Sequence, residues 1–339
     1  MRKFGFMLLV LVLAFAAVTV SAAPPPGDAP GLERAIAAQE AHNPQLLGTP
    51  GVAGTAVSVG ANGKAVVVIF VEHGAVVGLP TVLDGVPATV EVTGKIIALK
   101  PAATGATKMA TTSVWPRPVP IGISTGNANE WSAGTIAARV KDAAGNVYAL
   151  SNNHVYAREN AAALGEEVLQ PGLYDTNGVY NPANHLGNLS AFVGMDYSGA
   201  PNYLDAAIAS TSTALLGNAT PASLGGYGAP NSITTAAAIG TAVQKFGRTS
   251  RLTKGTVTAI NASIQVSYDY GTALFNDQII VQSNKPFIKA GDSGSLLVTN
   301  TTGANPVGLL FAGSSNGGLA VANNIDTVLN TFGVTIDGN

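Results

Sequence analysis

The hydrophobic positions divide the chain into three textures. The first is an almost unbroken apolar run from Met7 to Val20, behind the basic pair Arg2 and Lys3 and ahead of the small residues Ser21, Ala22 and Ala23. A basic start, an apolar stretch and a small-residue cleavage site describe a secretory signal peptide over residues 1–23. The run is short for a bilayer span and lacks a charged stop-transfer flank. Pro24, Pro25, Pro26 and Gly27 follow as a stiff leader.

The second texture covers residues 28–100 and mixes two periods. Apolar residues at helical spacing predict a helix from Leu32 to Leu47, closed by Gly48 and Pro50. Val52 to Val59 and Ala65 to Val71 read as two strands joined across Asn62-Gly63, a strong hairpin signal. Residues 79–83 read as a short helix, and 88–92 and 96–99 as further strands. The whole is a small α+β unit without a serine, histidine or carboxylate cluster, which fits a pro-segment or an accessory domain. Residues 101–115 are small, polar and aperiodic, as in a linker.

From residue 116 to 339 the pattern changes to short apolar strands separated by Gly, Asn and Asp turns, which suggests a barrel or sandwich. Candidate strands are 134–140, 146–150, 205–210, 241–246, 255–259, 263–266, 278–281, 294–299 and 307–312. Ile325, Val328, Leu329 and Phe332 place one apolar face on a last helix over 324–332.

Composition narrows the class. Of 339 residues, 47% are hydrophobic, only 11% are charged and 40 are glycine, which favours a turn-rich β protein. Disorder, coiled coil and nucleic-acid binding are disfavoured, since no basic block occurs anywhere. Loss of the signal peptide takes Arg2 and Lys3 with it and moves the net charge from −2 to −4, a mild imbalance that implies no particular partner. There is no cysteine, so neither disulfides nor thiol chemistry are available and core burial must supply the stability. The four histidines lie far apart without metal-ligand spacing, and no cofactor or metal is expected.

The chemistry centres on Ala290-Gly291-Asp292-Ser293-Gly294-Ser295-Leu296-Leu297-Val298. A Gly-Asp-Ser-Gly tetrapeptide alone is an ordinary turn. It becomes a candidate nucleophile only if a base and an orienting acid lie elsewhere. His42 and His73 fall in the N-terminal unit and His185 in a loop, whereas His154 ends the apolar strand that runs into Ser151-Asn152-Asn153-His154. Asp205 heads the apolar run Asp205-Ala206-Ala207-Ile208-Ala209, where burial would demand a partner such as an imidazole N–H. Asp175 and Asp196, the rival acids, sit in loopier and wetter sequence. The order is therefore His154, Asp205, Ser293, one of the orders that converge on the same geometry.

These segments resemble the three boxes of the trypsin-like, chymotrypsin-fold serine peptidases: Leu150–Val155 the histidine box, Leu204–Ala209 the aspartate box and Gly291–Ser295 the serine box. The stretch Val243 to Val257, with Gly247-Arg248-Thr249, is similar to a segment of the secreted bacterial streptogrisin and α-lytic-type branch. The match covers roughly residues 116–335; the N-terminal unit is only loosely similar to pro-domains. Ser295 stands where many relatives have glycine, and no Ile-Val-Gly-Gly start occurs near residue 116.

The resemblance implies a mainly β, two-barrel protease domain behind a small α+β domain. It implies a secreted serine endopeptidase, extracellular or periplasmic, that acts on peptide or protein substrates and has no membrane or nucleic-acid partner after signal cleavage. Ser293 would attack, His154 would carry the proton, Asp205 would orient the imidazole, and the N–H groups of Gly291 and Ser293 would bind the oxyanion. Lys245 would pair with Asp292 behind the turn. Residues 287–290 and 310–315 would wall the primary pocket. No acid falls among them, so Phe311 and Ala312 suggest a small or apolar side chain and Lys289 an acidic one. A peptidase-fold binding protein that has lost activity is the alternative.

Overall fold

The chain was analysed as a computed structural model that describes residues 29–98 and 110–338. The expected signal peptide, the proline leader, the last residue of the 96–99 strand and most of the 101–115 linker lie outside these residues.

Helix α1 (Leu32–Leu47) is followed by strands β1 (Val52–Val59), β2 (Ala65–Val71), β3 (Val82–Leu83), β4 (Val86–Val92) and β5 (Ile96–Ala98). The 79–83 segment is not a helix. Asp84 and Gly85, both at positive φ, turn the chain tightly between β3 and β4, so the segment's apolar residues feed a hairpin. The apolar face of α1, with Ala35, Ala38 and Leu46, packs on Val57, Val67 and Ile69.

Next come β6 (Ser124–Asn127), β7 (Gly134–Thr135), β8 (Ala138–Asp142), β9 (Val147–Ser151), the single turn α2 (Asn153–Tyr156), β10 (Glu167–Leu169), β11 (His185–Phe192) and β12 (Ala207–Thr211). With the terminal β19 (Val334–Ile336) they make one eight-stranded sheet, in the order β19-β8-β9-β12-β11-β10-β6-β7. Its interior is filled by Val119, Ile121, Ile136, Val168 and Leu186.

The remaining strands are β13 (Ala242–Gly247), β14 (Arg251–Ser267), β15 (Thr272–Gln282), β16 (Leu296–Thr299), β17 (Pro306–Ser314) and β18 (Leu319–Asn324). They pair in the order β13-β16-β17-β18-β15-β14, and the pairing of β13 with β14 closes the ring. Its core holds Val243, Val257, Val281, Leu297 and Leu310. Helix α3 (Ile325–Phe332), capped by the Asn324 side chain, buries Ile325, Val328 and Leu329 where the two sheets meet.

The separate strands expected at 255–259 and 263–266 are one element. β14 runs through a bulge around Asn261, whose φ is +52°, and carries on with its register shifted. The long β14–β15 hairpin leaves the barrel and meets the N-terminal strands, since β1 pairs antiparallel with β14. The buried Gln39 of α1 reinforces this contact by donating to Thr55 Oγ1 and Asn261 O, each at 2.9 Å.

Phe275 of β15 is fully buried at this junction, 4.8 Å between ring centroids from Phe311 of β17. Phe275→Ala removes a large core side chain and is expected to cost about 3–5 kcal/mol, read as a lower urea midpoint.

Candidate active site

The 51 residues between His154 and Asp205 are bridged by strand pairing. β9 and β12 are antiparallel neighbours with Ser151 opposite Ala207, so the end of one strand lies beside the start of the other. Asn152 stitches the two by donating through Nδ2 to Asp205 O at 2.7 Å. The α2 turn then presents His154, whose Nδ1 lies 2.5 Å from Asp205 Oδ2. The His154 backbone N–H donates to Asp205 Oδ1 at 3.1 Å. Asp205 is wholly buried, and its own N–H donates to Asn323 Oδ1 of β18. The acid thus sits where both sheets can hold it.

Ser293 comes from the other sheet. Gly291 and Gly294 flank its turn at φ +91° and +87°, a conformation that costs glycine little. Space reinforces the choice, because a Cβ on Gly294 would lie 2.3 Å from both Ser151 Oγ and Thr135 O. Thr135 of the first sheet grips the turn from both ends. Its N–H donates to Ser293 O at 2.8 Å and its hydroxyl to Gly291 O at 2.9 Å. Among the described residues the N–H groups of Gly291 and Ser293 meet no acceptor.

The structure therefore brings His154 and Asp205 into contact and puts Ser293 at the same junction, with one link open. Ser293 Oγ donates to Phe311 O at 3.2 Å, and the buried His154 Nε2 has no partner among the described residues. His154 is 2% exposed and Ser293 1%, so the junction is closed to solvent. Next to it β5 lies antiparallel on β17, with Ala98 opposite Ala312, Ile97 opposite Gly313 and Ile96 opposite Ser314.

Asp292 points away from the cleft into a buried cage. Lys245 Nζ lies 3.0 Å from its Oδ2, and both side chains are fully buried. Thr249 N and Ser250 N donate to Oδ1 at 2.8 and 3.0 Å, and Lys289 N to Oδ2 at 2.9 Å. Burial opposes the Asp292 charge, yet Lys245 and the Ser250 hydrogen bonds hold its carboxyl below the ordinary value. Burial pulls Lys245 down, and Asp292 offsets part of that.

Two readings of the surroundings change. Asp175 is not in wet sequence: it forms a pair with the buried Arg248, which approaches through Nε at 2.7 Å and through Nη2. Asp196, by contrast, caps its own exposed turn by accepting from Ser198. Phe311 and Ala312 do not line a pocket, since both are buried in the core with Phe275 and Ile264. Ile97, Ile288, Lys289, Ala290, Ser315 and Asn316 line a cavity of about 400 Å³ beside the turn, and no acid borders it. Asn152, Thr135 and Tyr268, whose hydroxyl reaches Asp205, were not legible as site residues.

Two β-sheets, one of them closed into a ring of six strands, with His154 and Asp205 on one and the Ser293 turn on the other, make up a mainly β, chymotrypsin-type fold. Solved structures similar to the chain include a glutamic acid-specific serine protease at 19% identity, covering 64% of this chain and 100% of that one with a TM-score of 0.47. Others are a Nocardiopsis protease at 21% identity (64% and 99% covered, TM-score 0.47) and a Cellulomonas bogoriensis chymotrypsin at 22% (65% and 99%, TM-score 0.45). Residues 226–337 match the family model described as the Nal1 C-terminal domain. No curated protein matches the chain.

Among the described residues no helix is long and apolar enough to cross a membrane, and no three His, Asp or Glu side chains cluster as metal ligands do.

Lys245→Ala strands Asp292 as an unpaired buried charge and is expected to cost about 3–5 kcal/mol in urea unfolding. Because the native Asp292 carboxyl titrates below its unfolded value, its share of stability is present above about pH 4. That share is lost as the pH falls through the lower native value. Asp292→Asn, already destabilised, should therefore show a shallower acid decline than the parent in urea midpoints taken from pH 7 to 2.

Proposed function

We propose that the protein is an exported serine endopeptidase that cleaves by acyl transfer. Ser293 attacks the peptide carbonyl, and His154 takes its proton and returns it to the leaving amine. Asp205 holds the imidazole, and the N–H groups of Gly291 and Ser293 receive the oxyanion. The observation that carries the reading is the buried His154–Asp205 contact at 2.5 Å beside a serine held between two left-handed glycines. The unmatched N–H groups of that turn support it further, since an oxyanion site requires donors left free. In the cavity beside the turn, Lys289 with Ile288 and Ala290 favours an apolar or acidic substrate side chain over a basic one.

We assign residues 28–100 as a pro-segment. β5 extends β17 as an added strand, the way an extended peptide docks on a sheet edge. Its last residue, Ala98, lies opposite Ala312, the residue after Phe311 on β17. One observation favours the second reading, a peptidase-fold binding protein without activity: Ser293 Oγ is turned to Phe311 O rather than to His154.

The two readings separate on labelling by a fluorophosphonate. The peptidase reading expects Ser293 to be labelled and Ser293→Ala to stay unlabelled, with intact mass placing a cut between residues 99 and 115 in the parent alone. Absence of label in both the full-length and the shortened chain supports the binding protein.

A further inference from the structure

Asp205 has more partners than the histidine. Among the described residues its carboxylate accepts from His154 N, lies against His154 Nδ1 and accepts from the Tyr268 hydroxyl, at 2.8 Å on the same Oδ2 that faces the imidazole. Tyr268 belongs to neither sheet wall. It stands at the tip of the β14–β15 hairpin, directly after Ser267, and its N–H closes the turn onto Gly271 O at 2.7 Å.

Four contacts fix that tip over the junction. Glu159, three residues beyond the end of α2, accepts from Tyr270 N at 3.1 Å. The Tyr268 ring meets the His154 ring edge-on, with centroids 5.9 Å apart at 63°, and packs on Phe275 at 6.1 Å. Ser267 pairs with Ile97 of β5.

We propose that Tyr268 is a positioning residue of the site: its hydroxyl fixes Asp205 Oδ2 so that the carboxylate faces His154. A carboxylate held on only one side is free to turn about its last torsion, and an orienting acid that turns no longer selects one imidazole tautomer. Burial beside Asp205 pushes the Tyr268 hydroxyl well above its ordinary value, so it remains a proton donor throughout the working pH range. The adjoining Tyr197 provides an internal comparison. Its ring meets Tyr268 edge-on at 5.9 Å, and its buried hydroxyl has no partner among the described residues.

The inference rests on the peptidase reading, and its test is chosen to stand apart from it. In the full chain, the Nδ1–H proton of His154 is followed by NMR together with the rate of fluorophosphonate labelling at Ser293. Tyr268→Phe keeps the ring and removes the hydroxyl. The Nδ1–H resonance is expected to move upfield or broaden away, and labelling to slow by roughly 10- to 100-fold, while Tyr197→Phe changes neither.

An unmoved resonance in Tyr268→Phe overturns the proposal. So does an equal effect from Tyr197→Phe, or a downfield move, which would mark a hydroxyl that only competes with His154 for the oxygen. If neither the full-length nor the shortened chain is labelled, the peptidase reading fails while the resonance still decides the role of Tyr268.

Discussion

A buried carboxylate is tolerable only when donors surround it, and the cage around Asp292 is the constraint on which the site depends. Lys245 reaches it from β13, Ser250 and Thr249 from the turn into β14, and Lys289 from the segment before the serine. Each comes from a different stretch, so satisfying one charge ties the serine turn to the wall of its barrel. Without that tie, two glycines in a row of four would leave the turn free to sample many shapes. The pair is weak grounds for stability as such, because a hydrophobic replacement could pack as well. What it supplies is one specific turn geometry, with the N–H groups on one side and the carboxylate on the other.

The same logic recurs at Asp205. Its backbone N–H is held by Asn323 from the second sheet, its carbonyl by Asn152 from the first, and its carboxylate by His154 and the hairpin tip. Two buried acids thus act as polar rivets beside an apolar cluster that includes Leu204 and Ala206 on either side of Asp205. The apolar clusters fill each sheet separately, and only the cluster under α3 spans both. At the junction where chemistry is proposed, substitution of a polar group therefore removes a tie as well as a reacting group.

Much of this was legible in the sequence, and the reasons for the exceptions are physical. Short apolar runs between Gly, Asn and Asp turns exposed the strands, and helical spacing marked the Leu32–Leu47 helix to its last residue. β14 was split because Asn261 reads as a break, whereas in three dimensions a bulge lets the ladder continue past it. The 79–83 stretch read as a helix because the Asp84-Gly85 turn signal behind it was given less weight than its apolar residues. His154, Asp205 and Ser293 stood out because each sits at an apolar-to-polar switch. Tyr268 did not, because a tyrosine at a hairpin tip has no spacing relative to its partner. Its meeting with Asp205 exists only once a hairpin more than sixty residues away in sequence folds back. Asp175 was misjudged for the same reason: the loop carrying it is polar, yet the arginine that draws it inward lies 73 residues on.

One edge of β17 orders the cleft. Along it come first β16, which ends opposite Leu309, then the serine turn, with Gly294 N on Leu310 O and Ser293 Oγ on Phe311 O, and finally β5 from Ala312 onward. The strand and the candidate nucleophile therefore occupy successive positions of one edge. Main-chain hydrogen bonds of this kind are indifferent to side chains. On the peptidase reading, selection among substrates would then fall to the cavity flanked by Ile288, Lys289 and Ala290. An occupant tethered to the same chain holds the edge at a high effective concentration that a free peptide cannot easily match. On the peptidase reading, release of that tether is what would give a substrate access to the edge. The hairpin that holds β5 through Ser267 also holds Asp205 through the next residue, so the occupied edge and the orientation of the acid are mechanically adjacent.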